Sequence, residues 1–399
     1  MQRHHSLGFD LETRLRERER SGLRRDLVPI DSVDARARTA ADPKGEPANF
    51  GAERLIFASN DYLGLAGDPR VAETAVRAAR DVGTGAGASR LVVGDTSTHR
   101  SLERRLATEK NAERALTFSS GYAANVGTIT ALAPDVIFSD ALNHASIIDG
   151  ARLSDATVEV YDHCDADALA QRMAERFSDG VTDESWLVVT DSVFSMDGDV
   201  APIEALCDVA EEYGAWVMVD EAHATGVYDG GIVNERGLEN RVQVQLGTLS
   251  KALGAQGGFV AGDETLIEYL LNAARSFVFS TGLAPPAAAA SERALALAPD
   301  RRDALWTNVE RLRTGLEALG YEVLGDTHIL PVLVGNRDEA VALADRITEA
   351  GIVAPAIRPP TVPEGTSRIR LTPKATHTDT HIEQCLTAFE TAMTKGGCP

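Results

Sequence analysis

The chain has 399 residues, 44% of them hydrophobic and 25% charged, which excludes a disordered polymer and exceeds the span of one hydrophobic core, so two or more domains are expected. Sixty acidic residues face thirty-four arginines and five lysines, for a net charge of −21; such a surface repels nucleic acid and anionic membranes. No stretch of eighteen apolar residues occurs, and Met1-Gln2-Arg3-His4-His5 does not open the apolar core of a signal peptide, so a cytoplasmic protein is expected.

In chain order, residues 9–27 predict an amphipathic helix rich in arginine, including Arg14, Arg16, Arg18, Arg20, Arg24 and Arg25. Pairs such as Glu12 and Arg16 sit at helical spacing, so most of this face reads as solvated ion pairs. A polar linker with Pro43, Gly45 and Pro47 follows, to about Asn49. Thr84-Gly85-Ala86-Gly87-Ala88-Ser89-Arg90 has the look of a phosphate loop but lacks the Walker lysine and a preceding strand, and reads as a structural turn. From Leu55 to Leu283 strands alternate with helices; the strands predicted are Ala115–Phe118, Val136–Ser139, Trp186–Thr190, Ala215–Val219, Val242–Leu246 and Gly258–Ala261. That alternation predicts an α/β domain whose mostly parallel sheet is covered on both faces. Past Pro285 and Pro286 a long Ala/Leu/Arg-rich helix leads into a smaller α+β domain, β-α-β-β-α from Tyr321 to Met393. The expected division is residues 1–50, an N-terminal helix and linker; 51–285, the large domain; and 286–399, the small domain. Cys164, Cys207, Cys385 and Cys398 show no CxxC pairing and read as reduced structural thiols, with neither a metal site nor a disulfide framework.

Chemistry gathers at the predicted strand ends. Ser119, Gly121 and Tyr122 follow one strand, His144 the next, Asp191 and Ser195 another, Asp220 and His223 another, Thr248 and Lys251 another. In an open parallel sheet those ends form the ligand crevice, and the turn before the Gly121 helix suits a phosphate. Lys251 stands among small residues in Gly247-Thr248-Leu249-Ser250-Lys251-Ala252-Leu253-Gly254, which alone fits a surface or C-capping lysine in a Gly-bounded loop better than a functional one. Asp220-Glu221-Ala222-His223, closing an apolar strand, changes that reading. Pyridoxal phosphate (PLP) needs a carboxylate to keep its ring nitrogen protonated, a lysine to hold its aldehyde, and a donor for its phenolic oxygen. Asp220, Lys251 and His223 supply those groups, Thr248 offers a hydroxyl to the phosphate, and the alternative for His223 is a core histidine bonded to backbone.

The Asp-x-x-His and Gly-Thr-x-Ser-Lys-Ala pair resembles the fold-type I PLP enzymes, and within them the α-oxoamine synthases. Ser59-Asn60-Asp61-Tyr62-Leu63-Gly64-Leu65, Ser119-Ser120-Gly121-Tyr122-Ala123-Ala124-Asn125, Asn143-His144-Ala145-Ser146, Val193-Phe194-Ser195-Met196-Asp197-Gly198-Asp199, Phe279-Ser280-Thr281 and Arg358-Pro359-Pro360-Thr361-Val362-Pro363-Glu364-Gly365-Thr366 extend the resemblance over almost the whole chain. It implies the decarboxylative condensation of L-alanine with pimeloyl-CoA or a pimeloyl carrier protein, in a homodimer. It further implies that Lys251, Asp220 and His144 are catalytic. Gly121, Tyr122, Ser195, His223, Thr248 and Thr281 would hold the cofactor with them, and Arg24, Asn60, His144, Arg358 and Thr361 would hold substrate. His144 would stack on the pyridine face and Arg358, otherwise a surface charge, would clamp a carboxylate. Other readings that remain are a glycine-using or aminolevulinate-forming synthase of the same family, and a catalytically silent partner subunit. Asp191 stands where the family often has a longer Glu, which leaves its role open. The acidic, lysine-poor surface suggests adaptation to high salt.

Overall fold

The computed structural model describes residues 8–42, 44–178 and 183–396; Cys398 and Pro43 lie outside the described residues. Strands occupy Arg36–Ala40 (β1), Phe50–Ile56 (β2), Arg114–Phe118 (β3), Val136–Asp140 (β4), Thr157–Tyr161 (β5), Trp186–Asp191 (β6), Trp216–Asp220 (β7), Val244–Thr248 (β8), Gly258–Gly262 (β9), Leu330–Gly335 (β10), Ile352–Val353 (β11), Ala356–Ile357 (β12) and Ser367–Leu371 (β13). Seven of them form one sheet in the order β3-β9-β8-β7-β6-β4-β5. Its β5-β4-β6-β7-β8 block is parallel, and β9 runs antiparallel to both β8 and β3.

Successive residues of the central strands feed opposite faces, as a pleat requires. Val188, Val217, Val219 and Phe138 enter one buried cluster, while Leu187, Val189, Met218 and Ile137 enter the other. Both faces are dry, so these strands are continuous apolar runs, the signal that located all six predicted strands.

Several features were not expected. β5 is an edge strand with Val158 and Val160 exposed. The predicted N-terminal helix spans only Leu11–Arg20 and buries no residue; the left-handed Gly22 (φ +64°) ends the run. The expected polar linker contains β1, which pairs antiparallel with β2, and β2 pairs in parallel with β11 from near the C-terminus. Arg36 on β1 reaches the C-terminal helix Asp379–Gly396 through His381 (3.2 Å) and Gln384 (2.8 Å). The long helix after Pro285 is two helices, Pro285–Leu297 and Pro299–Ala318, because Pro299 has no N–H to continue the first and suits the opening turn of the second. The C-terminal region is built on β10-β13-β12 with helices Arg337–Glu349 and Asp379–Gly396; β11, also there in sequence, joins the N-terminal sheet instead.

Candidate active site

The lysine arrives at the end of β8. Leu249 N bonds Gly257 O (3.0 Å), Thr248 Oγ1 donates to Gly257 O (2.9 Å), and Gly254 N returns to Lys251 O (2.8 Å). Gly254 is left-handed (φ +61°), and a Cβ there would strike Ala66 N at 2.2 Å, so the turn that holds Lys251 requires glycine. β7 ends on Asp220, and the turn Ala224 N to Glu221 O (2.9 Å) presents His223 on the same side. Glu221 is itself fully buried; it pairs with buried Lys110 and accepts Val233 N (2.9 Å), which anchors this loop from below.

These loops enclose a cleft of about 250 Å³ lined by Gly121, Tyr122, His144, Ser195, Asp220, His223, Thr248 and Lys251, all anticipated, and by Ser120, Asn125, Ser146, Asp191, Ala222 and Ser250. Lys251 Nζ lies 2.8 Å from His223 Nε2, and His223 Nδ1 lies 2.6 Å from Tyr62 Oη. Burial brings the Lys251 amine down to about 8, with Arg370 adding to the effect and Asp220 and Asp191 opposing it. An ordinary lysine titrates near 10.4, so the pH of half-protonation gives a prediction. An amine-selective reagent should modify Lys251 of the cofactor-free protein with a midpoint near pH 8, read peptide by peptide. A midpoint above about 10 would show an unperturbed amine.

Asp220 accepts Asn125 Nδ2 (2.7 Å) and Ala222 N (2.8 Å). Neighbouring Asp191, its partner in the β6–β7 register, accepts the amide of His144 (2.8 Å). Burial, and then the charge of Asp220, push the Asp191 carboxyl well above the usual carboxylate range. The shorter acid therefore holds the backbone of His144. Burial in turn lowers the His144 imidazole, which caps the helix Ala145–Leu153 by accepting Ser146 N (3.2 Å). On the opposite side, the helix Gly121–Leu132 points its N-terminus into the cleft. Ser120 Oγ takes Ala123 N (3.0 Å) and Ser120 O takes Ala124 N (3.0 Å), so the amides of Gly121 and Tyr122 precede those in use.

A model of the aminotransferase class I and II family matches residues 52–389. The chain belongs to that family. Among its members it is an α-oxoamine synthase. It is 45% identical over 349 residues, 85% of this chain and 89% of the other, to an 8-amino-7-oxononanoate synthase of Lysinibacillus sphaericus. Among solved structures, Sphingomonas wittichii serine palmitoyltransferase is 32% identical, covers 98% of each chain and gives a TM-score of 0.89. A serine palmitoyltransferase variant from S. paucimobilis with a bound PLP–myriocin aldimine is 28% identical, covers 96% of this chain and 97% of its own, and gives 0.87. The cofactor of this α-oxoamine synthase is PLP.

Five anticipated residues lie outside the cleft lining. Arg24 is exposed, pairs with Glu19 (3.0 Å) and lines a separate groove with Arg18, Arg25 and Pro360. Arg358 donates to Gly22 O (3.0 Å), and Thr361 is exposed on the same loop. Thr281 is exposed and forms an isolated bridge with Ser89. Asn60 joins the site through Tyr62, whose hydroxyl donates to Asn60 Oδ1 (3.0 Å). The α-oxoamine synthase also uses groups that sequence reasoning gave no role. Asn125 is the one amide side chain in an otherwise Ala/Val/Ile/Leu-rich helix, a signal that was available. Arg370 is buried on β13 and donates to Ser195 O (2.5 Å) and Asn60 Oδ1 (3.1 Å).

The segment Thr84–Arg90 behaves as a turn whose main product is Arg90. That guanidinium is buried between Asp95 and Glu103 and donates to Thr117 Oγ1 (3.0 Å). Cys207 and Cys385 are buried free thiols, and burial pushes Cys207 up to about 11. Among the described residues, metal-type donors meet at Asp140, His163 and Cys164. There His163 gives one ring nitrogen to Asp140 (2.9 Å) and the other to Asp199 (3.3 Å), which accounts for it as an ion-paired tie between two loops.

Proposed function

We propose that this enzyme condenses L-alanine with a pimeloyl thioester, with loss of carbon dioxide and thiol, to give 8-amino-7-oxononanoate. The observation that carries the reading is Lys251 held 2.8 Å from His223 in a cleft that also contains Asp220, in a chain 45% identical to a synthase of that name. The residues fit PLP. The cleft has a carboxylate at one side, an amine of lowered basicity at another and a helix N-terminus at a third. Asn125 Oδ1 is buried without a partner beside them. A Cβ on Gly121 would meet Thr248 Cβ at 3.3 Å, a tight contact that glycine relieves at the turn before the helix, where a phosphate would bind.

When bound, PLP supplies an electron sink for the carbanion formed at the amino acid's Cα. Asp220, oriented by Asn125 and Ala222 N, holds a proton on the ring nitrogen. Lys251 would hold the cofactor's aldehyde end and, as the amine of lowered basicity in the cleft, would take the Cα proton, a role that an amine near pKa 8 suits close to neutrality. His223 would hold the phenolic oxygen, and His144 and Ser195 would help hold the ring. Thr248 and the amides of Gly121 and Tyr122 hold the phosphate. Asn60, Arg358, Thr361 and Arg24 meet the substrates, with Arg358 as carboxylate clamp. A thioester screen pairing alanine, glycine and serine with short, pimeloyl and long acyl chains, scored by thiol release, tests this. Preference for glycine or serine, or for a non-pimeloyl chain, would reassign the reaction within the family.

The reading includes a homodimer. Leu91, Val92, Val93 and Phe279 are large apolar side chains exposed beside the Ser89–Thr281 bridge, which supports coverage by a second copy and Thr281 reaching its cofactor phosphate. Light scattering at assay concentration should give twice the 42.5 kDa chain mass; a fully active monomer would refute it. We further read the net charge of −21 as an adaptation to high salt. Dilution from about 2 M to 0.01 M salt lengthens the screening distance from a few to about 30 Å, so the melting temperature should fall and PLP should be released. A flat or rising melting temperature would remove that reading and leave the site assignment intact.

No helix among the described residues is long and apolar enough to cross a membrane, which is consistent with the cytoplasmic location included in this reading.

A further inference from the structure

His223 is a relay point between Lys251 and a second set of buried groups. Its Nε2 faces Lys251 Nζ (2.8 Å) and its Nδ1 faces Tyr62 Oη (2.6 Å). The ring is buried, and burial together with the charges of Lys251 and Arg370 keeps it neutral, so it carries one N–H and one lone pair. An ammonium only donates. Nε2 therefore accepts from Lys251, Nδ1 carries the hydrogen, and Tyr62 Oη receives it. The tyrosine's own hydrogen goes on to Asn60 Oδ1 (3.0 Å). Arg370, also a donor only, reaches both Asn60 Oδ1 (3.1 Å) and Tyr62 Oη (3.4 Å). From Lys251 through His223 and Tyr62 to Asn60 every hydrogen bond points outward, and Arg370 donates into the far end of that chain.

A phenolic oxygen placed against Nε2 reverses the demand, because it needs a donor there. Nδ1 must then accept, and only a group that can turn from acceptor to donor in place satisfies it. The Tyr62 hydroxyl does so by rotating about its C–O bond. Asn60 Oδ1 loses that hydrogen and keeps Arg370. The ring of Tyr62 has no such freedom: it is fully buried, with the edge of His328 at 4.2 Å between centroids.

We propose that Tyr62 is a positioning residue whose reversible hydroxyl, backed by Asn60 and Arg370, lets His223 exchange tautomers between the cofactor-free and the PLP-bound enzyme. The proposal rests on the PLP reading of the cleft. Its test is nitrogen NMR of protein labelled at histidine with ¹⁵N, with the His223 signals identified by their loss in His223→Gln. The expected result is Nδ1–H in the cofactor-free protein and Nε2–H after PLP is added. Tyr62→Phe should abolish that exchange and raise the PLP dissociation constant roughly ten- to a hundredfold, the effect of stranding one buried polar group. The same tautomer in both wild-type states, or a Tyr62→Phe protein that still exchanges tautomers, would overturn the proposal, and the wild-type comparison decides it even if the variant does not fold. Failure of wild-type protein to bind PLP would instead sink the functional reading. In that event Nε2–H in the cofactor-free protein would still refute the tautomer assignment, and Nδ1–H would support it.

Discussion

Lys251→Ala should lower turnover by at least about 10⁴-fold while leaving a folded protein, because one side chain supplies both the covalent anchor and the base, and a positioned base alone contributes about 10²–10⁴-fold. The fold should survive because the turn is set by backbone bonds, Leu249 N to Gly257 O and Gly254 N to Lys251 O, which alanine keeps. Removing the amine also removes the partner of His223 Nε2. The buried amine is held below its ordinary basicity. Its folded-state value is the lower one, so the unfolded chain binds the extra proton between about pH 8 and 10.4, and wild-type stability gains from Lys251 as pH rises through that window. The alanine variant should lose that rise and be slightly more stable than wild type below pH 8. Steady-state kinetics and melting curves across pH measure both effects. Activity within tenfold of wild type would remove Lys251 from the mechanism.

Asp220→Asn isolates charge from shape. Asp220 accepts from Asn125 and from Ala222 N. An asparagine keeps the second bond with its oxygen and offers its NH2 to Asn125, whose unpartnered Oδ1 can turn to receive it. The fold and PLP binding should therefore persist. Loss of the charge that keeps the ring nitrogen protonated should slow exchange of alanine's Cα proton with D2O by about 10²–10³-fold, the size of one preorganised electrostatic contact. Asp191 complicates the result in a testable way. The charge of Asp220 is one reason the Asp191 carboxyl is raised above the usual carboxylate range, so the variant makes Asp191 easier to ionise. A double substitution, Asp191→Asn with Asp220→Asn, should lose more than the single one. An unchanged exchange rate in Asp220→Asn would show that this carboxylate does not face the ring nitrogen.

The parallel sheet and its crevice were legible because burial on both faces writes a strand as an apolar run, and because Asp220, Thr248 and His144 sit at or just past such runs. The edges were not. β1 reads Arg-Ala-Arg-Thr-Ala and β5 exposes alternate valines, so neither carries a burial signal, and the strand that β1 pairs with, β2, takes its other partner, β11, from near the C-terminus. The same holds within the site. Lys251 and His223 are close in sequence and were found together, whereas Arg370 meets Asn60 across 310 residues. No local pattern around that arginine shows which way it faces. Asp191 was noticed as a departure, and only its bond to the His144 amide shows how a shorter acid is used.

The parallel pairing of β2 with β11, Leu55 against Ile352, also sets an order of events during synthesis. At roughly 5–20 residues per second, Leu55 waits about 15–60 s for its partner to be made. The groups lining the PLP cleft lie between Ser120 and Lys251, so they are all translated before that pairing is possible. Asp61 likewise waits for Lys374, its buried ion-pair partner, and Asn60 for Arg370. A nascent chain halted soon after β9 would thus already carry every residue lining that cleft, with Thr281 still to come and the hydroxyl of Tyr62 lacking the guanidinium that arrives on β13.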